Sequence, residues 1–187
     1  NHVGVLDLPG FSRFVLSGNG AAACLDQLIT NKLPAVGRIS LGYFASARGK
    51  IVSEMSLARF DENHFWLIFA AGAYWHDRDL LTAAIADFPD VELKDETRDI
   101  STFLVTGPKS RDLLSSVFNT NFSSDAFPWL SHQILQLAGV NCLAIRVSFT
   151  GELGWELHVP VAQTQKIYGY LRKAGSAFQL KPFGMLA

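Results

Sequence analysis

The chain has 187 residues and a formal net charge of −1; 49% of its residues are hydrophobic and 18% charged. That is enough chain and enough apolar surface for one large domain or two small halves, and it excludes a disordered segment. Lysine and arginine are spread along the sequence, so no partner held by bulk positive charge, nucleic acid or anionic membrane surface, is expected.

Cys24 and Cys142 stand alone, without CxxC spacing. They read as two buried, reduced thiols, with no metal site expected, and they fit a reducing compartment. The longest uncharged run, residues 126–145, contains Pro128, His132, Gln133, Gln136 and Asn141, which break a membrane-spanning reading. The chain begins at Asn1 without methionine and stops shortly after Pro182-Phe183-Gly184, so it is expected to be a segment of a longer polypeptide.

Along the chain, Phe14-Val15-Leu16-Ser17-Gly18 is a strand ending in a hydroxyl residue and a glycine, followed by a helical pattern with Leu25 and Leu28. Three strand-like runs follow at residues 39–46, 51–60 and 64–70, with turns at 47–50 and 61–63. A helix is predicted over residues 74–88 from the stripe of Tyr74, Leu81, Ile85 and Phe88, stopped by Pro89. Phe103-Leu104-Val105-Thr106-Gly107 then echoes the first motif, with Leu114 and Val117 at the same offset as Leu25 and Leu28. A strand over 101–106, a helix over 109–118 and a loop containing Phe127-Pro128-Trp129 are expected. A hairpin of 133–137 and 141–149 should follow, then a strand over 155–159 and a helix with Ile167, Leu171 and Ala174 inward. Runs of strands broken by single helices predict an α+β fold, with mainly antiparallel sheets flanked by helices, in two related halves around one core.

The most specific stretch is Arg146-Val147-Ser148-Phe149-Thr150-Gly151-Glu152-Leu153-Gly154-Trp155-Glu156-Leu157. A glycine turn there gathers Glu152, Glu156 and an indole between two strands. Strand alternation sends Trp155 and Leu157 to one face, and Glu156 and His158 to the other. A carboxylate placed so can accept two parallel N–H bonds; the plainer alternative is a solvated strand face.

This stretch resembles the pterin-binding strand of the aminomethyltransferase family, in wording nearest its dimethylglycine and sarcosine dehydrogenase branch. The resemblance runs from about Val3 to the end. It includes Val3-Gly4-Val5-Leu6-Asp7, Val36-Gly37-Arg38-Ile39-Ser40-Leu41, Arg48-Gly49-Lys50-Ile51-Val52-Ser53-Glu54 and Tyr74-Trp75-His76-Asp77. It implies that the whole chain, 1–187, is an aminomethyltransferase folate-binding domain, with the family's C-terminal barrel and any flavin domain lying outside it. The resemblance makes Glu156 the residue that binds the folate pterin, and Glu54, where the family has Asp, the functional carboxylate near folate N5. Phe149 stands where the T-proteins have Tyr, and Ala70 where they have Asn. Tyr43, Phe149 and Trp155 are candidate walls of the folate channel, although each also suits a core position. His76 reads as a surface histidine.

The implied cofactor is tetrahydrofolate. FAD is expected only in a flanking domain, since no GxGxxG turn occurs here. The implied reaction is transfer to tetrahydrofolate of the methylene unit from an iminium, made when a flavin domain, in cis or in trans, oxidises an N-methyl amine such as dimethylglycine or sarcosine. Partners would be folate and that small iminium, with neither nucleic acid nor membrane. The location would be cytoplasmic, or the mitochondrial matrix in a eukaryote. Two other readings are a non-catalytic folate-binding or scaffold module, and another demethylase of the same fold, such as a sulfonium demethylase.

Overall fold

The first strand, β1 (Gly4–Asp7), joins the later of two units into which the computed structural model divides the chain. Residues 10–97 make one unit; residues 1–9 with 98–187 make the other. The structure describes residues 2–148, 150–184 and 186.

The unit of residues 10–97 runs β2 (Phe11–Ser17), α1 (Ala21–Leu28), β3 (Ile39–Ala45), β4 (Ile51–Asp61), β5 (His64–Ala70), α2 (Tyr74–Ala84) and β6 (Glu92–Asp95). Its strands form one antiparallel sheet in the order β3-β4-β5-β2-β6. Alternation puts Phe14, Leu16, Leu57, Phe65, Leu67 and Phe69 on one face, where they pack with Leu25 of α1 and Leu81 of α2. Trp66 and Ile68, on the other face of β5, are also buried. That explains why β5 reads as a continuous apolar run rather than an alternating one.

The second unit runs β7 (Ile100–Thr106), α3 (Ser110–Phe118), β8 (His132–Leu137), β9 (Val140–Ile145), β10 (Gly154–Pro160), α4 (Thr164–Gly175) and β11 (Lys181–Pro182). Its sheet order is β11-β1-β7-β10-β9-β8; every neighbouring pair is antiparallel except β1 with β11. Removing β1 leaves the strand succession of the first unit, so the faint sequence echo is the trace of a repeated topology with one strand interposed. The repeat extends to backbone detail. Gly18 and Gly107 leave their strands at φ of 109° and 112°. A 3-10 turn leads into α2 (Ala71–Ala73) and into α4 (Val161–Gln163).

Several sequence expectations change. Each unit has a core of its own: each sheet buries one face under its own helices, around Phe14 and Phe65 in one unit and around Phe103 and Trp155 in the other. The helix predicted over 74–88 stops at Ala84 and tightens into a 3-10 turn at Ile85–Asp87. The ladder of the second hairpin strand ends at Ile145 rather than 149. There Arg146 turns its N–H to the Ser131 carbonyl, its carbonyl to the Leu130 N–H, and its guanidinium to the Phe127 carbonyl at 2.6 Å. Strands β6 and β11 carry charged, mostly exposed edge residues and give no apolar alternation to detect. Among the described residues, no helix is long and apolar enough to cross a membrane.

Candidate functional site

Strand β10 starts where it does because the carbonyl of Leu153 is pinned. The Gly107 N–H donates to it at 2.8 Å, the Thr106 hydroxyl donates at 3.1 Å, and the Ser110 hydroxyl lies 3.2 Å away. Gly151 turns the chain at φ 86°, a conformation cheap only for glycine. Gly154 lies so close to Thr106 that an added Cβ would sit 3.1 Å from its hydroxyl oxygen. From this anchored start, Glu156 falls opposite Leu104 of β7 and Ile145 of β9. Its side chain is 19% exposed, on the sheet face away from the α3/α4 core.

Glu156 is not isolated on that face. His158, two residues on, brings Nε2 to 3.2 Å from the Glu156 carboxylate. Its Nδ1 lies 2.9 Å from the Thr102 hydroxyl of β7. His158 and Thr102 are both buried. Alternation in the sequence already placed His158 beside Glu156; Thr102 became visible only through the register of β7 against β10.

The structure sets Trp155 apart from this face. It has no accessible surface and fills the second unit's core, edge-on to Phe122 and Phe127, with the Arg111 and Arg146 guanidiniums each 5.5 Å from its ring. Burial and then the Arg111 charge lower the pKa of Arg146 from its ordinary value. Of the two roles open to Trp155 in the sequence, channel wall and core, its inward pointing on β10 places it among the core side chains. Glu152 is exposed on the turn, and the indole points to the face opposite Glu156, so it is not gathered with that carboxylate. Phe149 lies outside the described residues.

Glu54 and Tyr43 meet in the first unit. They are directly opposite in the β3–β4 ladder, hence on one face, away from the α1/α2 core. Glu54 is exposed and Tyr43 half-buried. The neighbouring Ser53 points the other way, donating to the Asp77 carboxylate of α2 at 2.6 Å. Asp77 also lies 3.2 Å from His76, whose side chain is 51% exposed, so His76 is the surface histidine expected. Cys24 and Cys142 are buried and unpaired, as read from the sequence. A shallow surface depression of about 410 Å³ between Val140 and Lys166 contains none of the expected site residues.

Known proteins resemble this chain in sequence and in fold. The family described as the GCVT N-terminal domain matches residues 1–187. Mitochondrial dimethylglycine dehydrogenase of Rattus norvegicus is 32% identical over 99% of this chain and 22% of its own length. Mitochondrial sarcosine dehydrogenase of Mus musculus is 30% identical over 98% of this chain and 22% of its own. The chain thus spans less than a quarter of either dehydrogenase. In three dimensions, the glycine cleavage system aminomethyltransferase T from Bartonella henselae superposes with a TM-score of 0.82 at 18% identity, covering 97% of this chain and 47% of that one. The α+β architecture is that of an aminomethyltransferase, and the chain belongs to the GCVT N-terminal domain family.

Proposed function

We propose that this domain binds tetrahydrofolate and serves one-carbon transfer, taking up the methylene unit released when an N-methyl amine such as dimethylglycine or sarcosine is oxidatively demethylated. The observation that carries the reading is Glu156: a partly exposed carboxylate on the sheet face away from the α3/α4 core, inside Gly-Glu-Leu-Gly-Trp-Glu-Leu, in a chain related along its length to the two dehydrogenases. Its two oxygens have about four lone-pair sites, and His158 uses one. The remainder suits the two parallel N–H donors of an amino-pyrimidine edge, so the residue fits the cofactor.

When bound, tetrahydrofolate supplies the nitrogen nucleophile that accepts the one-carbon unit. Glu156 holds and orients the pterin. The Glu54 carboxylate orients the reacting nitrogen, takes up the proton that leaves it and, while charged, steadies developing positive charge, with Tyr43 beside it as wall. Oxidation of the amine to its iminium falls to a flavin domain, in cis or in trans. The setting is cytoplasmic, or the mitochondrial matrix in a eukaryote.

Glu54 also favours a second reading. It is exposed, and its carboxylate has no hydrogen-bond partner among the described residues, whereas acid–base catalysis needs a held group. That state suits a folate-binding module without chemistry. Calorimetry with tetrahydrofolate and a formaldehyde-capture assay separate the two. Binding, with capture slowed by Glu54→Ala, is the expected result. Binding with an unchanged rate assigns the module, and no binding removes the folate reading.

A further inference from the structure

We infer that His158 is the positioning residue of the pterin site, acting only through Glu156, with Thr102 setting which imidazole nitrogen faces the carboxylate. The inference rests on the proposed folate reading. His158 has no exposed side-chain surface and so cannot touch a ligand from solvent. Both ring nitrogens are nonetheless engaged: Nδ1 at 2.9 Å from the Thr102 hydroxyl, Nε2 at 3.2 Å from Glu156.

The chemistry of the partners orders the chain of bonds. An ionised carboxylate only accepts, so Nε2 must carry the proton it shares with Glu156. In the neutral ring Nδ1 is then the acceptor, and the Thr102 hydroxyl donates to it. The carboxylate therefore sets the tautomer, and the Thr102 hydroxyl on the next strand, able to donate or accept, holds the ring so that Nε2 faces Glu156. Register makes the relay possible: His158 lies opposite Thr102 on β7, and Glu156 opposite Leu104, two residues further along the same face.

The consequence is preorganisation. A glutamate side chain with free torsions must be ordered when it takes up a bidentate partner, which lowers affinity. One oxygen tethered to a wholly buried ring removes part of that ordering. Leu104 and Ile145, directly across on either side, offer no hydrogen bond that could do the same. His158 thus accounts for how a carboxylate flanked by aliphatic side chains is held ready for two N–H donors.

The test uses the intact protein and 5-formyl-tetrahydrofolate as a stable probe, followed by calorimetry. His158→Phe keeps a ring without a donor and should weaken binding by up to about tenfold, the entropy of ordering one freed glutamate side chain. His158→Gln restores an N–H near the Nε2 position and should recover most of it. In a Glu156→Ala background, which leaves His158 nothing to hold, His158→Phe should cost little more, because the two residues act as one unit. Imidazole 15N spectra of the unliganded protein should show the Nε2–H tautomer, altered by Thr102→Val. An Nδ1–H ring, or undiminished binding by His158→Phe while Glu156→Gln weakens it, overturns the inference alone. Unchanged binding by Glu156→Gln overturns the pterin role of Glu156 and, with it, this one. The spectra need no variant of His158 and decide the bond order even if His158→Phe fails to fold.

Discussion

Replacing Gly18 with alanine tests whether the repeated strand–glycine–helix turn is a structural necessity. Gly18 sits at φ 109°, and an added Cβ would lie 2.0 Å from the Asp90 carbonyl oxygen. Forcing an L-residue into left-handed backbone costs about 1–2 kcal/mol. Overpacking that backbone shifts must relieve adds about 1–3 kcal/mol. The smaller unfolded-state entropy of alanine returns about 0.4–1 kcal/mol, leaving a net loss of roughly 1–5 kcal/mol. Gly10 is the control: φ is 94°, with nothing within 4 Å of its added Cβ. Gly10→Ala should therefore cost only the conformational part, at most about 1.5 kcal/mol. Urea unfolding, with hydrogen exchange in β2 and α1, measures both. Gly107→Ala should behave like Gly18→Ala, since its Cβ would meet the His2 carbonyl oxygen at 2.5 Å. A Gly18→Ala variant no less stable than Gly10→Ala would refute the reasoning.

Trp155→Ala should destabilise the second unit by about 3–5 kcal/mol, because the indole is fully buried between aromatic rings and two guanidiniums; denaturant titration checks this. Burial pushes the Cys142 thiol from 9.0 up to about 11. It should resist thiol reagents at pH 8 until the protein unfolds. Its contribution to stability, full below the unfolded pKa, should fall as pH rises from about 9 through 11. Partial burial pushes the Asp95 carboxyl up, but hydrogen bonds from Thr97 and Tyr74, with the Arg78 charge, outweigh it and hold the group below its usual value. Asp95 stabilises above its unfolded pKa and loses that contribution as pH falls through the folded one. Tyr74→Phe, removing the phenol donor to Asp95, should narrow the gap in stability between neutral and acidic pH, read as a smaller shift in Tm.

The sequence made the fold legible where side chains alternate or step by a helical turn. The Phe14 and Phe103 motifs, the β3–β4–β5 meander and the stripe of α2 all announce themselves by burial on one face. Edge strands did not: Glu92–Asp95 and Lys181–Pro182 bury too little to leave a pattern. The interposition of β1 between β7 and β11 is set by pairing with residues far along the chain, Gly4 with Thr106 and with Lys181, which no local period records. At the site, alternation correctly put Glu156 and His158 on one face and Trp155 on the other. Whether an aromatic lines a channel or fills a core depends on what lies beyond it, and the residue type alone does not say; for Trp155 the answer is the core. The Thr102 contact required register, which only the assembled sheet supplies.

The central claim is that Glu156 recognises a pterin. The most direct measurement is the affinity of the intact protein for tetrahydrofolate beside that of Glu156→Gln, which keeps the side chain's size while losing its charge and half its acceptors. Loss of a charge-assisted hydrogen bond predicts affinity weakened by roughly 10- to 100-fold, with Tm unchanged within about 3 °C. Equal affinity in the two proteins would contradict it.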